Sequence, residues 1–125
     1  MQQRIRTYTV AVTTTGSAGS ASGSGVTEIA HGFLLDVFLT YHASAPATTD
    51  VTVLQTGSAD NLILVTDNAT SGRYAPRQAL VTRANAAITN GHDRIPVTGT
   101  ITVSVAQSDA LTGAVTATIR VLETI

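Results

Sequence analysis

The residues able to carry chemistry are few: three histidines (His31, His42 and His92), eight carboxylates, seven arginines, and Ser and Thr in abundance. A metal site needs neutral imidazoles converging with carboxylates. Asp36 and His42 fall on one face of a regular strand, yet six residues at ~3.3 Å each hold them roughly 20 Å apart. They cannot share an ion. Gly91-His92-Asp93-Arg94 sets an imidazole beside a carboxylate and a guanidinium. Acid–base work there would also need a nucleophile and an orienting group; the plainer reading is a solvated turn. A Ser/His/Asp set arises by chance at this Ser and Thr content, and no Gly-x-Ser-x-Gly elbow is present. The Gly/Ser tract at 16–25 holds no Lys, so it is not a phosphate-cradling loop. Cys is absent, which removes disulfides and Cys-ligated zinc. Asn68-Ala69-Thr70 spells a glycosylation sequon but reads as a turn without an export signal. The expectation is a protein with no catalytic residue, no metal and no cofactor.

The elements that would position any site must come from 125 residues, enough for one domain burying roughly two-thirds of its unfolded surface. The net charge is −1, which argues against a phosphate-tracking surface and so against nucleic acid as a partner. No apolar run approaches the ~20 residues of a membrane span. Met1 to Arg6 lacks the apolar core of a secretory signal, so synthesis in the cytoplasm is expected. Only 12% of the residues are charged, about half the usual share. Thr fills 22 positions, Ala 18 and Val 13, and Thr and Val both favour strands. All seven basic residues are Arg. Genome base composition explains that as well as an interface, where Arg is enriched and Lys depleted, would.

Residues 4–14 alternate loosely through Ile5, Tyr8, Val10 and Val12 and read as a strand. Residues 16–25 have the composition of a flexible linker with an r.m.s. span of roughly 17 Å. They are either a long loop between two strands of one sheet or a tether joining an arm, residues 1–15, to a body, residues 26–125. Residues 33–42 form the clearest strand: Phe33, Leu35, Val37, Leu39 and Tyr41 point one way, with Leu34, Asp36, Phe38, Thr40 and His42 opposite. Short strands follow at 51–56 and 62–66. Residues 77–88 fit a helical stripe (Leu80, Ala84, Ala87) or a strand to Arg83, and the β neighbours favour the strand. Val97 to Val105 and Val115 to Val121 alternate around an Asp- and Gly-containing connection and read as an antiparallel hairpin. The sum is an all-β chain, a single antiparallel sandwich of jelly-roll or immunoglobulin-like type with about seven or eight strands.

Two groups of residues suit an interface. Arg73 and Arg77 bracket Tyr74-Ala75-Pro76, either a plain extended entry before a Pro or an Arg/Tyr contact patch. Ile5, Tyr8, Val10 and Val12 could pair with a neighbour's sheet edge if the amino-terminal segment is an arm.

Tyr74-Ala75-Pro76-Arg77, Arg94-Ile95-Pro96-Val97, the run Ile101 to Gln107 and the earlier Ala45 to Val53 together resemble small virion structural proteins of tailed bacteriophages. The likeness spans about residues 33–123. It implies a protein encoded among head and tail genes, most concretely a capsid decoration, or cement, protein on the outer shell. Its partners would be the major capsid protein and copies of itself, in a homo-oligomer. A tail, head–tail connector or fibre-base subunit is the alternative role within that group. A carbohydrate-binding sandwich is the alternative outside it, though the few aromatics are then wanted for the core as well.

Overall fold

The computed structural model describes residues 2–124. Among them are ten strands and no helix: β1 (Gln3–Val12), β2 (Ala21–Val26), β3 (Ala30–Tyr41), β4 (Asp50–Gln55), β5 (Asn61–Val65), β6 (Gly72–Tyr74), β7 (Arg77–Val81), β8 (Ala87–Gly99), β9 (Ile101–Ser108) and β10 (Val115–Thr124). A six-stranded sheet runs β1-β10-β3-β8-β7, with β6 also beside β3, and a four-stranded sheet runs β2-β9-β4-β5. Every pairing is antiparallel.

The pairs are nested. β1 pairs with β10, β2 with β9, β3 with β8 and β4 with β5, and successive pairs fall in alternate sheets. That is one long two-stranded ribbon, closed at the β4–β5 turn and rolled up, the jelly-roll arrangement of eight strands. β6 and β7 are additions between β5 and β8, which brings the total above the seven or eight expected. The rolled ribbon buries Leu34, Leu39, Ile101 and Ile119 completely, with Val51, Val53, Val103 and Val115 at the same 0% exposure. Each such side chain contributes about 1.5–3 kcal/mol of apolar burial.

Three sequence expectations need correction. The first concerns residues 16–25, which are not a flexible linker: a turn at 16–20 leads into β2, which pairs with β9. The small residues serve close approach instead of flexibility. A Cβ on Gly23 would lie 2.2 Å from the Thr13 carbonyl oxygen, and one on Gly25 would lie 2.6 Å from Val10 Cγ1. Glycine lets β2 pack against the valine side chains of β1 and the Thr13–Thr14 backbone just beyond it.

The second is the carboxyl-terminal hairpin. β9 and β10 lie in different sheets, so residues 109–114 arch across the core. Alternation puts apolar residues on one face of each strand, and two such faces can meet across a core as well as lie side by side. The arch is held by β1's end: Thr14 N–H donates to the Leu111 carbonyl at 3.0 Å, and Leu111 N–H donates to Thr14 Oγ1 at 3.1 Å. The apolar run that continues from Val97 to Val105 also changes sheet. Gly99, at φ +98°, supplies the corner between β8 and β9.

The third is the face assignment of residues 33–42. Val37, Leu39 and Tyr41 point inward, but so does Leu34, whereas Phe33 is 43% exposed. The β3–β10 register jumps from Arg120↔Asp36 to Val121↔Leu34, leaving Leu35 as an extra residue. This bulge inverts the alternation on its amino-terminal side.

Candidate interaction surface

The bulge and the nested strands create an unusual outer face on the six-stranded sheet. Cross-strand pairing sets Ile5 opposite Leu122, Leu122 opposite Phe33, and Phe33 opposite Pro96. These four residues form an apolar row across β1, β10, β3 and β8 on the solvent side, with Ile5 56% exposed. Phe38 lies further along the same face, 37% exposed, with the Arg73 guanidinium 5.9 Å from its ring centroid.

Between the row and Phe38 sits Asp36, nearly buried under arginines. Arg120 donates from Nε to Oδ1 at 2.8 Å and from Nη2 to Oδ2, a two-pronged grip. Arg73 Nε is 3.9 Å from Oδ2. The Arg120 hydrogen bonds hold the Asp36 carboxyl below its ordinary range, against the opposing effect of burial. Since the folded-state value is depressed, this stabilisation is complete above the ordinary 3.8 and is lost as pH falls through the folded value. Asp36→Asn is expected to cost about 1–2 kcal/mol at neutral pH, the low end because both arginines are partly solvated. It should also flatten the acid limb of a melting-midpoint-against-pH curve, which thermal denaturation between neutral and acid pH would measure.

The predicted contact patch divides. Arg73 faces outward on β6. Tyr74 turns inward, partly buried against the core. Arg77 Nη1 donates to the Leu35 carbonyl at 3.1 Å, the residue extruded by the bulge. Along β3, β8 pairs with residues 30–34 and β6 with 37–39, and the Arg77 side chain reaches into the interval between them. Of the amino-terminal residues offered as an arm, only Ile5 is free. Tyr8, Val10 and Val12 lie in the core, and β1 pairs along its full length with β10 of its own chain. β1 therefore belongs to its own chain's sheet and is not an exchanged arm, and residues 16–25 are not a loop within one sheet either, because β1 and β2 lie in different sheets.

What the sequence reading missed is a projecting hairpin. β6 takes the place beside β3 that β8 would otherwise continue to fill, so residues 87–94 leave the sheet and pair with β7 instead. They extend roughly 26 Å at ~3.3 Å per residue. All of β7 is exposed, and so is nearly all of this part of β8, with Leu80, Val81 and Ile88 at 40, 50 and 45%. The Gly91-His92-Asp93-Arg94 stretch is strand here, not a turn. Its one clue in the sequence was the lack of any consistent apolar period across residues 77–94.

Elsewhere the geometry offers little reactivity. A polar cleft of about 280 Å³ opens beside Arg6, Tyr8 and Glu28. Arg6 is paired with Glu28 at 2.8 Å, and its guanidinium lies 4.9 Å from the Tyr8 ring centroid. The Tyr8 hydroxyl donates to Glu123 Oε1 at 2.7 Å, and burial followed by that bond pushes its pKa up to about 12. It stays neutral and is no base at ordinary pH. Among the described residues no three His, Asp or Glu side chains converge as a metal site would require. Asn68 closes its own turn, donating to the Thr70 carbonyl at 3.0 Å. Comparison with protein-family models, curated proteins and solved structures gives no match.

Proposed function

We propose that this chain is a non-enzymatic structural protein of a tailed-phage virion, a capsid decoration protein bound to the major capsid protein and to copies of itself. The observation that carries the reading is the projecting hairpin: a compact jelly roll sends out an exposed two-stranded ribbon, which on its own is marginal in water. Contact with another protein would give that ribbon a reason to exist. The apolar row on the outer sheet face is a second surface of the same kind. Jelly rolls recur in viral capsid domains, a fold-level analogy that agrees with the sequence resemblance. Many repeated copies of one modest contact would stabilise a shell by avidity. A tail, connector or fibre-base position uses the same surfaces and differs in copy number.

The test is sedimentation of the protein alone and with empty shells of its phage. Co-sedimentation, with shells that melt at higher temperature once decorated, is the expected result. A strict monomer with no affinity for shells overturns the reading. A carbohydrate-binding module is the second reading, favoured by the outward Phe33 and Phe38, since exposed aromatic faces stack on sugars and lectins also use jelly rolls. Glycan-array binding abolished by Phe33→Ala would select it.

A further inference from the structure

Two sheet edges of this chain are complementary to each other, and they are the ones with no protein strand beyond them on the hairpin side of the molecule. β7 ends the six-stranded sheet and β5 ends the four-stranded sheet, and both are five residues long. Among the described residues, neither has a strand on its outer side. Unpaired edges of this kind template pairing with another chain. Leu64 on β5 is 59% exposed, matching the exposed Leu80 and Val81 on β7.

Their charges are opposite. β7 begins at Arg77 and is followed by Arg83, and the β8 arm of the hairpin adds Arg94 and one carboxylate, Asp93; none of the three arginines makes an ion pair with a carboxylate among the described residues. β5 lies between Asp60 and Asp67, both exposed and likewise without an arginine partner. The other arginines, Arg4, Arg6, Arg73 and Arg120, are all paired within the chain. Arg77 and Arg94 are direct cross-strand partners in the hairpin. Arg77 is turned onto the Leu35 and Pro76 carbonyls, which leaves Arg94 as the free guanidinium at the hairpin's base.

The spacings match. Both strands are five residues long; Arg94 stands level with the start of β7 and Arg83 two residues past its end, while Asp60 and Asp67 lie one residue before and two residues after β5. With Ala79 aligned on Ile63, either strand direction brings a guanidinium within two residues of a carboxylate at both ends. We propose that β7 of one copy pairs edge to edge with β5 of a second copy, fixed by Arg83 and Arg94 against Asp60 and Asp67. This deepens the reading above and rests on its premise that the chain works in contact with copies of itself. The contact joins two different patches, so it closes into a ring or continues as an open chain according to the rotation between subunits.

Charge exchange on the full chain tests it. Arg83→Glu/Arg94→Glu makes the hairpin acidic, and Asp60→Arg/Asp67→Arg makes the β5 edge basic. Each variant alone should self-associate at least about a hundredfold more weakly than the original chain in sedimentation equilibrium, because like charges then face each other. Mixed in equal amounts the two variants should recover association, since each supplies the edge that the other repels. Recovery also shows that both are folded, and unchanged melting midpoints show it independently. Raising salt from about 0.05 M to ~1 M should weaken the original association. Association that survives both variants, or variants that stay separate when mixed, overturns the edge pairing while leaving a self-associating protein. A chain that is monomeric at every concentration overturns both the pairing and its premise.

Discussion

Val103→Asp is expected to abolish the cooperative thermal transition. Val103 is fully buried on β9, a strand flanked on both sides by β2 and β4 in the four-stranded sheet. An aspartate there would face the other sheet's apolar side with no arginine or backbone donor to meet it. Burying an unpaired carboxylate costs several kcal/mol, and the lost valine packing adds to that, for a sum of about 4–5 kcal/mol or more. A domain of this size has about 5–15 kcal/mol in total. Circular dichroism melting would register either loss of the transition or a midpoint lowered by tens of degrees. An unchanged midpoint would mean that β9's inner face is assigned wrongly.

A chain beginning at Val26 is expected not to fold. The missing residues carry Tyr8, Val10, Val12 and Ala21 out of the core and remove two strands, one from each sheet. β10 and β9 then become bare edges, and the arch at 109–114 loses Thr14, which both donates to and accepts from Leu111. Shortening the β7–β8 hairpin to a tight turn is the instructive contrast, because its residues bury almost nothing. That variant should melt close to the original chain while losing self-association. Limited proteolysis and circular dichroism on the two proteins distinguish a structural strand from an appended one.

The strand content was legible because alternation is local: Val115, Ala117, Ile119 and Val121 announce their face without knowledge of any partner. What pairs with what was not legible. β1 meets β10 across more than a hundred residues, and no local signal separates strands that lie side by side from strands that face across a core. The bulge at Leu35 was hidden for a related reason, since it depends on β10's register and turns Phe33 outward only once that register is fixed. Residues 16–25 misled because a linker and a close-packed strand draw on the same small residues. Gly23 and Gly25 are explained by Thr13 and Val10, which only the folded chain brings near. The interface residues were half found. Arg73 and Arg77 lie at the exposed face and the hairpin base, while Tyr74 is turned into the core. Asp60 and Asp67 read only as turn residues, because a lone carboxylate in a turn acquires meaning only beside an unpaired edge.

The measurement that bears most directly on the proposed decoration role is quantitative proteomics of purified tailed-phage particles from cells that produce this chain. The proposed role predicts a copy number of the same order as that of the major capsid protein. Absence from the purified particle would contradict it, and a dozen or fewer copies at a tail or vertex would contradict the decoration role.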